Sequence, residues 1–319
     1  MNPIKLAMIQ LNNYYQDQSL GYIKAQSFIS KAAAQGAQLA VLPELSACGY
    51  IPNQTIWQVA EPADGKTAQW ACKLSKKLGI YIGAGFIETD GKDFYNSYLL
   101  SNPQGKICKI IHKEDAEAYC FKRSLGELFI DTDLGRIGVG VCIDNHYADR
   151  LYRMAAANID FILMPHANPA PYKTGSQISA DDLAHFSKLP YLVASAYSNY
   201  LRVPSVYVNM VGTFPEFMGG FGVKSFNENF QLLGGSIITD ASGDMITKMG
   251  ADEGYITATI TPGKTAQEPE KPVIYHKKWL HPGSAIYRTF VLPGVMRKGI
   301  RSYNKEHVKF LENREKDWL

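Results

Sequence analysis

Gly135-Arg136-Ile137-Gly138-Val139-Gly140-Val141-Cys142-Ile143-Asp144 is the run on which the reading of this 319-residue chain turns. Ile137, Val139, Val141 and Ile143 alternate with small residues, as in a strand packed closely from both sides. Cys142 comes at its end. Beyond it, Tyr147, Leu151, Met154 and Ala155 recur at spacings of three and four, which predicts a helix with Asp144 or Asn145 as its N-cap. A thiol at such a strand-to-helix turn would sit in the positive field of a helix N-terminus, which favours the reactive thiolate. Taken alone, Cys142 fits a buried structural cysteine as well, since free cysteine is among the most buried residue types.

Upstream, the same alternation of strand and helix is legible. Residues 4–11 read as a strand, and Leu20, Ile23, Phe28, Ile29 and Ala32 give 18–35 a helical spacing that stops at Gly36. An apolar strand at 38–42 ends at Pro43, with Glu44 immediately beyond it. A helix at 66–78 closed by Gly79 leads to a strand at 80–87, and 94–101 with 106–111 reads as a hairpin around Asn102-Pro103-Gln104-Gly105. Lys113 closes the apolar run of that second hairpin strand. Downstream, the pattern predicts a strand at 159–164, a helix at 177–188 and a strand at 191–196. Further strands run to about 260, with turns at Gly219-Gly220, Gly234-Gly235 and 241–244. Interleaved helices and strands predict a layered α/β fold. In open sheets of this class, sites gather beyond the carboxyl ends of strands, where Glu44 and Cys142 both stand.

Composition narrows the function classes. The chain carries 33 Lys/Arg and 30 Asp/Glu, a formal net charge of +3, which is too small to argue for nucleic acid or an acidic partner. The charge is uneven: residues 262–319 hold 12 Lys/Arg and 6 Asp/Glu, leaving 21 and 24 for residues 1–261. Pro262, Pro269, Pro272, Pro282 and Pro293 interrupt the basic segment, so it reads as an extended arm closed by a short helix near 303–316. The expected organisation is a domain over 1–261 and an arm over 262–319 that packs on that domain or on a subunit partner. The five cysteines at 48, 72, 108, 120 and 142 form no CxxC pair and no zinc-like cluster, and no leader is evident at the start. Cytoplasmic location and no stable membrane insertion are therefore expected. No GxGxxG or GxxxxGK[ST] motif is present.

Leu42-Pro43-Glu44-Leu45-Ser46-Ala47-Cys48-Gly49-Tyr50, then Lys113, then Val141-Cys142-Ile143-Asp144, in this order, resemble the nitrilase, or carbon–nitrogen hydrolase, superfamily. The resemblance runs over about 4–260 and includes Gly235-Ser236 and the turn 240–243. It implies an αββα sandwich that commonly pairs into a homodimer or higher homo-oligomer, and it implies catalysis without metal or organic cofactor. In it Cys142 is the nucleophile toward an amide or nitrile carbon and Glu44 the general base and acid. Lys113 with the backbone N–H after Cys142 stabilises the oxyanion. Glu117 matches a second glutamate that orients substrate or water.

The sequence also departs from the family pattern. After Cys-x-Asp an aromatic and Pro-Glu are usual; here Tyr147 is followed by Ala148-Asp149, with Asp149 expected to keep a structural ion pair. The Arg-Ala-x-Glu-Asn block appears only as Ser195-Ala196-Tyr197-Ser198-Asn199, so the site region must be braced differently. Ile143-Asp144 is the amidase-like pattern rather than Trp-Glu. Asn145 and His146 stand where D-specific carbamoylases place two carboxylate-clamping arginines. Asn145, His146 and Asn168 are the expected substrate contacts. An amidase-type hydrolase leads; a nitrilase, a carbamoylase and a binding or regulatory member that lost turnover are the alternatives.

Overall fold

Two six-stranded sheets packed face to face account for most of the strands in this computed structural model, which describes residues 1–51, 54–115, 120–175, 178–213, 230–282 and 292–316. In the first sheet, β1 (Ile4–Gln10), β2 (Leu39–Val41) and β3 (Tyr81–Thr89) run parallel. Then β4 (Phe94–Ser101) and β5 (Ile107–His112) continue antiparallel as the expected hairpin. The second sheet has a parallel centre of β7 (Gly135–Val139), β8 (Phe161–His166) and β10 (Ser205–Asn209), with β6 (Phe129–Thr132) antiparallel on one edge. A small third sheet joins β9 (Pro169–Pro171), β11 (Val211–Gly212) and β12 (Phe230–Leu233). Antiparallel β13 (Ile237–Thr239) and β14 (Met245–Lys248) finish the second sheet, and β15 (Gly254–Ile260) returns to pair with β1.

The strands with continuous apolar sequence are those buried on both faces. Leu6, Met8, Leu39, Val41 and Leu100 of the first sheet meet Ile137, Val139, Leu163, Val206 and Val208 of the second in one central core. Each such side chain contributes about 1.5–3 kcal/mol on burial. Helices α1 (Gln18–Ala34) and α2 (Lys66–Leu78) cover the outer face of the first sheet through Ala25, Ile29 and Leu74. Helices α3 (Ala148–Ala157) and α4 (Ala180–Leu201) cover the second through Leu151, Met154, Leu189 and Val193. The order of layers is αββα. Helix ends fall where the sequence puts stop signals: α2 ends at Gly79, whose φ of +68° closes the last turn in the left-handed region.

Two expected elements differ. The predicted strand at 191–196 is instead the middle of the 22-residue helix α4. Leu189, Val193, Ala194, Tyr197 and Leu201 are all buried, and that spacing is one helical face packed on β8, β10 and β13. This packing outweighs the roughly 3 kcal/mol that Pro190 costs inside a helix. The closing helix, α5 (Leu292–Lys316), is longer than the 303–316 expected. Pro293 falls in its first turn, where a missing N–H breaks no helical bond. The expected turn at Gly219-Gly220 lies outside the described residues. No described helix is long and apolar enough to cross a membrane.

Candidate active site

The chain segments that follow β2, β5, β7 and β8 are joined by hydrogen bonds that cross between the two sheets. After β2, Leu42 is pinned by its N–H to the Gly83 carbonyl (3.0 Å) and by its own carbonyl, which accepts from the Tyr98 hydroxyl (2.9 Å). Glu44 follows, fully buried. Its Oε1 accepts from Lys113 Nζ (2.7 Å) and Asn96 Nδ2 (2.7 Å), and its Oε2 accepts the backbone N–H of Ala167 (2.9 Å). All three contacts treat the carboxyl as an acceptor. Lys113 and Asn96 come from the first sheet and Ala167 from just beyond β8 in the second, so the carboxylate stitches the sheets together. The next residue, Leu45, turns through a φ of +50°. That turn is made against Gly85, where a Cβ would sit 2.3 Å from the Leu45 nitrogen, so the strand under Glu44 must carry glycine there.

Lys113 is 2% exposed, and its N–H is bonded to the Asn96 carbonyl (2.8 Å) as β5 ends. A buried ammonium is tolerated only with such a partner, because desolvating it alone costs several kcal/mol.

Cys142 begins a short 3₁₀ turn, Cys142–His146, and not the α-helix itself. It is buried, with a φ of +51°, a conformation that costs a non-glycine residue about 1–2 kcal/mol. The expected N-cap role of Asp144 or Asn145 is not what the structure shows. Helix α3 starts at Ala148 after Tyr147, with no side-chain cap. Asp144 turns the other way, and its two carboxylate oxygens accept the N–H groups of Glu114 and Asp115 (both 2.9 Å). The residue two beyond Cys142 thus ties down the loop that immediately follows Lys113. Buried Arg150 holds the same junction, with Nη1 2.8 Å from Glu114 and Nη2 3.6 Å from Asp144, and Arg153 adds a fork on Glu114. Burial raises the pKa of Asp144, against the pull of Arg150 and Lys113, and burial together with the Asp144 charge raises that of Asp115. The ion pair expected at Asp149 does not form among the described residues. Asp149 is exposed, and the neighbouring arginine points inward to Asp144 and Glu114 instead.

Two residues that no sequence motif marks lie among these groups. Tyr207 of β10 is fully buried, and its pKa is driven well above the ordinary value by burial and then by the charges of Cys142 and Glu44, so both act on one phenol. His166, at the end of β8, stacks on Tyr207 with ring centroids 3.9 Å apart. Burial, helped by the Lys113 ammonium, holds its pKa well below the usual value. Asn145 Nδ2 donates to the Gly140 carbonyl (2.6 Å) and lies 3.1 Å from His166 Nε2. The carbonyl contact fixes that atom as the donor, so Nε2 of His166 is the acceptor and the ring is the neutral Nδ1–H tautomer. A tyrosine inside an apolar strand gives no sign in sequence that it borders a site.

Of the other expected site residues, Asn145 is fully buried with its amide engaged beneath the turn. His146 Nδ1 lies 3.2 Å from His281 Nε2. Asn168 is half-buried and bonds through its N–H to Asn209 Oδ1 (2.9 Å). Glu117 lies outside the described residues. The C-terminal arm also reaches this region: Ala148 N–H donates to the Lys278 carbonyl (2.8 Å) and Leu280 N–H to the His146 carbonyl (3.0 Å). Among the described residues no group of His, Cys, Asp and Glu is arranged to hold a metal ion.

Comparison with known proteins adds to this geometry. The sequence model of the carbon–nitrogen hydrolase family matches residues 5–269. The chain is 32% identical over 175 residues to a nitrilase of Pyrococcus abyssi, covering 53% of this chain and 67% of that one. It is 29% identical over 185 residues to an omega-amidase of Danio rerio, covering 52% and 64%. The matched stretches therefore span about two thirds of these relatives. In structure the chain is similar to a carbon–nitrogen hydrolase from Helicobacter pylori G27, with a TM-score of 0.70 at 18% identity, covering 82% of this chain and 90% of that one.

Proposed function

The chain belongs to the carbon–nitrogen hydrolase family, and from that premise we propose that it is an amidase-type hydrolase working through Cys142, Glu44 and Lys113. Glu44 takes the Cys142 thiol proton as sulfur attacks the amide carbon. The oxyanion that forms is stabilised by the Lys113 ammonium and the N–H of Ile143. Glu44 then gives its proton to the departing amine or ammonia, leaving a thioester on Cys142. Water, deprotonated by Glu44, attacks that thioester; the acid leaves and the thiol is restored.

The observation that carries this reading is the buried Lys113–Glu44 pair at 2.7 Å, with the strained turn of Cys142 tied through Asp144 to the two residues that follow Lys113. A structural ion pair needs no such neighbour, and a structural cysteine needs no left-handed backbone. Asn168, just beyond β8, is the polar contact assigned to the substrate, and Asn145 and His146 support the turn behind it.

Ammonia or amine release from a panel of amides, nitriles and ureido acids identifies the substrate class. Cys142→Ala is expected to abolish release from whichever class is turned over, with an unchanged circular-dichroism spectrum. In wild type, mass spectrometry should find an acyl adduct on the Cys142 peptide. Release that survives Cys142→Ala would refute the mechanism.

A further inference from the structure

Residues past 269 lie beyond the family match, yet a short piece of them is built onto the turn that carries Cys142. Tyr275 and Trp279 exchange backbone hydrogen bonds (2.8 Å each) around a tight turn in which His276 (φ +46°) and Lys277 (φ +64°) are both left-handed. Non-glycine residues hold such angles only where the surroundings impose them. What imposes them here is antiparallel pairing with 146–148: Trp279 bridges Tyr147, flanked by the Ala148-to-Lys278 and Leu280-to-His146 hydrogen bonds. The Trp279 side chain is buried against Ile143, the residue next to Cys142, and its ring lies 4.8 Å from that of Tyr147. His281, also buried, meets the His146 ring edge-on at 4.7 Å.

We infer that the segment Tyr275–His281 is a clamp on the nucleophile turn, with Trp279 and Ala148 as positioning residues that act through Ile143 and Cys142. The inference rests on the hydrolase reading above and concerns how this chain holds the geometry that reading requires. A cysteine at φ +51° and an oxyanion donor at the next N–H both need the turn fixed from outside. The clamp packs on the side chain of the donor residue and pairs with the last residues of the turn. Ala148 is the telling position. It is the first residue of α3, where proline would suit the helix, but a proline has no N–H to give Lys278. The alanine present there keeps the N–H that the arm's pairing needs.

The test compares full-length wild type with Ala148→Pro, Trp279→Ala and Trp279→Phe. The readout is the rate of iodoacetamide alkylation at Cys142, measured by peptide mass spectrometry with Cys72 in the same sample as reference. Tyr147 at φ −98°, ψ +136° already has the conformation that precedes proline, so Ala148→Pro keeps the helix and removes only the arm contact. Alkylation at Cys142 is expected to slow about tenfold or more in Ala148→Pro and Trp279→Ala, with Cys72 unchanged and Trp279→Phe restored toward wild type. That pattern reports lost positioning, since general unfolding would speed Cys72 as well. Wild-type Cys142 reacting no faster than Cys72 would overturn the hydrolase reading and the clamp with it. A fast wild type matched by Ala148→Pro and Trp279→Ala would overturn the clamp alone.

Discussion

Lys113 is the buried partner of Glu44 and, in the proposed mechanism, an oxyanion donor, so replacing it is expected to show in both stability and rate. As an oxyanion donor its removal is expected to slow turnover by about 10²- to 10³-fold. As the partner of a fully buried carboxylate its removal leaves Glu44 with an uncompensated charge, which costs about 3–5 kcal/mol of stability. Lys113→Ala should therefore lower both the rate of amide hydrolysis and the urea midpoint; an unchanged rate in the folded variant would take Lys113 out of the mechanism. His166 makes a different prediction, about pH. Its folded pKa lies below the unfolded value of about 6.5, so as pH falls through that value the unfolded chain binds a proton that the folded protein refuses. Stability is then full above about pH 6.5 and falls on acidification, by at most about 1.4 kcal/mol per pH unit from this residue. Urea titrations at pH 7 and pH 5 should show a smaller loss in His166→Asn than in wild type. Equal losses would mean that His166 is not buried neutral. At this scale Glu44, Lys113 and Cys142 stand out as candidates only jointly, by closing apolar strands in the order of the family resemblance, and the structure pairs the first two. Tyr207 and His166 do not stand out, because an aromatic residue in a buried strand looks the same whether it faces core or site.

Among elements, the junction between the loop after β5 and the turn after β7 joins the two sheets beside the proposed reacting groups. Asp144 accepts two backbone N–H groups there, and Arg150 neutralises both Asp144 and Glu114 from within α3. Arg150→Met would leave buried Asp144 without its arginine while Glu114 keeps Arg153, at a cost of about 3–5 kcal/mol. Arg150→Lys should recover little of it, because one ammonium cannot span two acceptors as a planar guanidinium does. Chemical denaturation of the three proteins checks this, and a midpoint for Arg150→Met equal to wild type would contradict it. Asp144 also shows where a sequence reading fails by its nature. An aspartate after a cysteine and before a helical pattern reads as a local cap, whereas its partners are thirty residues away in another sheet. The segment around Val193 misled for a related reason: a short apolar run beside a proline looks like a strand until the face it buries is known. The hairpin β4–β5 and the stop at Gly79, by contrast, are set by neighbours in sequence and were legible.

Over the whole molecule, the arm touches the site from two sides. One piece pairs with the turn after Cys142, and α5 lies over a buried cluster that holds Leu45, the neighbour of Glu44, and Ala167, its backbone donor. Tyr303 is the anchor of α5 in that cluster. Its ring meets Trp57 edge-on at 5.9 Å, and its hydroxyl accepts the Phe94 N–H while donating to Asp93 Oδ1, both at 2.9 Å. The two kinds of contact can be told apart by substitution. Tyr303→Phe keeps the ring but leaves the buried Phe94 N–H without this acceptor, which costs about 1–3 kcal/mol. Tyr303→Ala also opens a cavity beside Trp57, and large aromatic truncations of that kind cost about 3–5 kcal/mol. Thermal melts of the two variants should rank in that order below wild type. If Tyr303→Ala melts with wild type, α5 is not held on the domain by this residue, and the arm's support beside Glu44 falls with it.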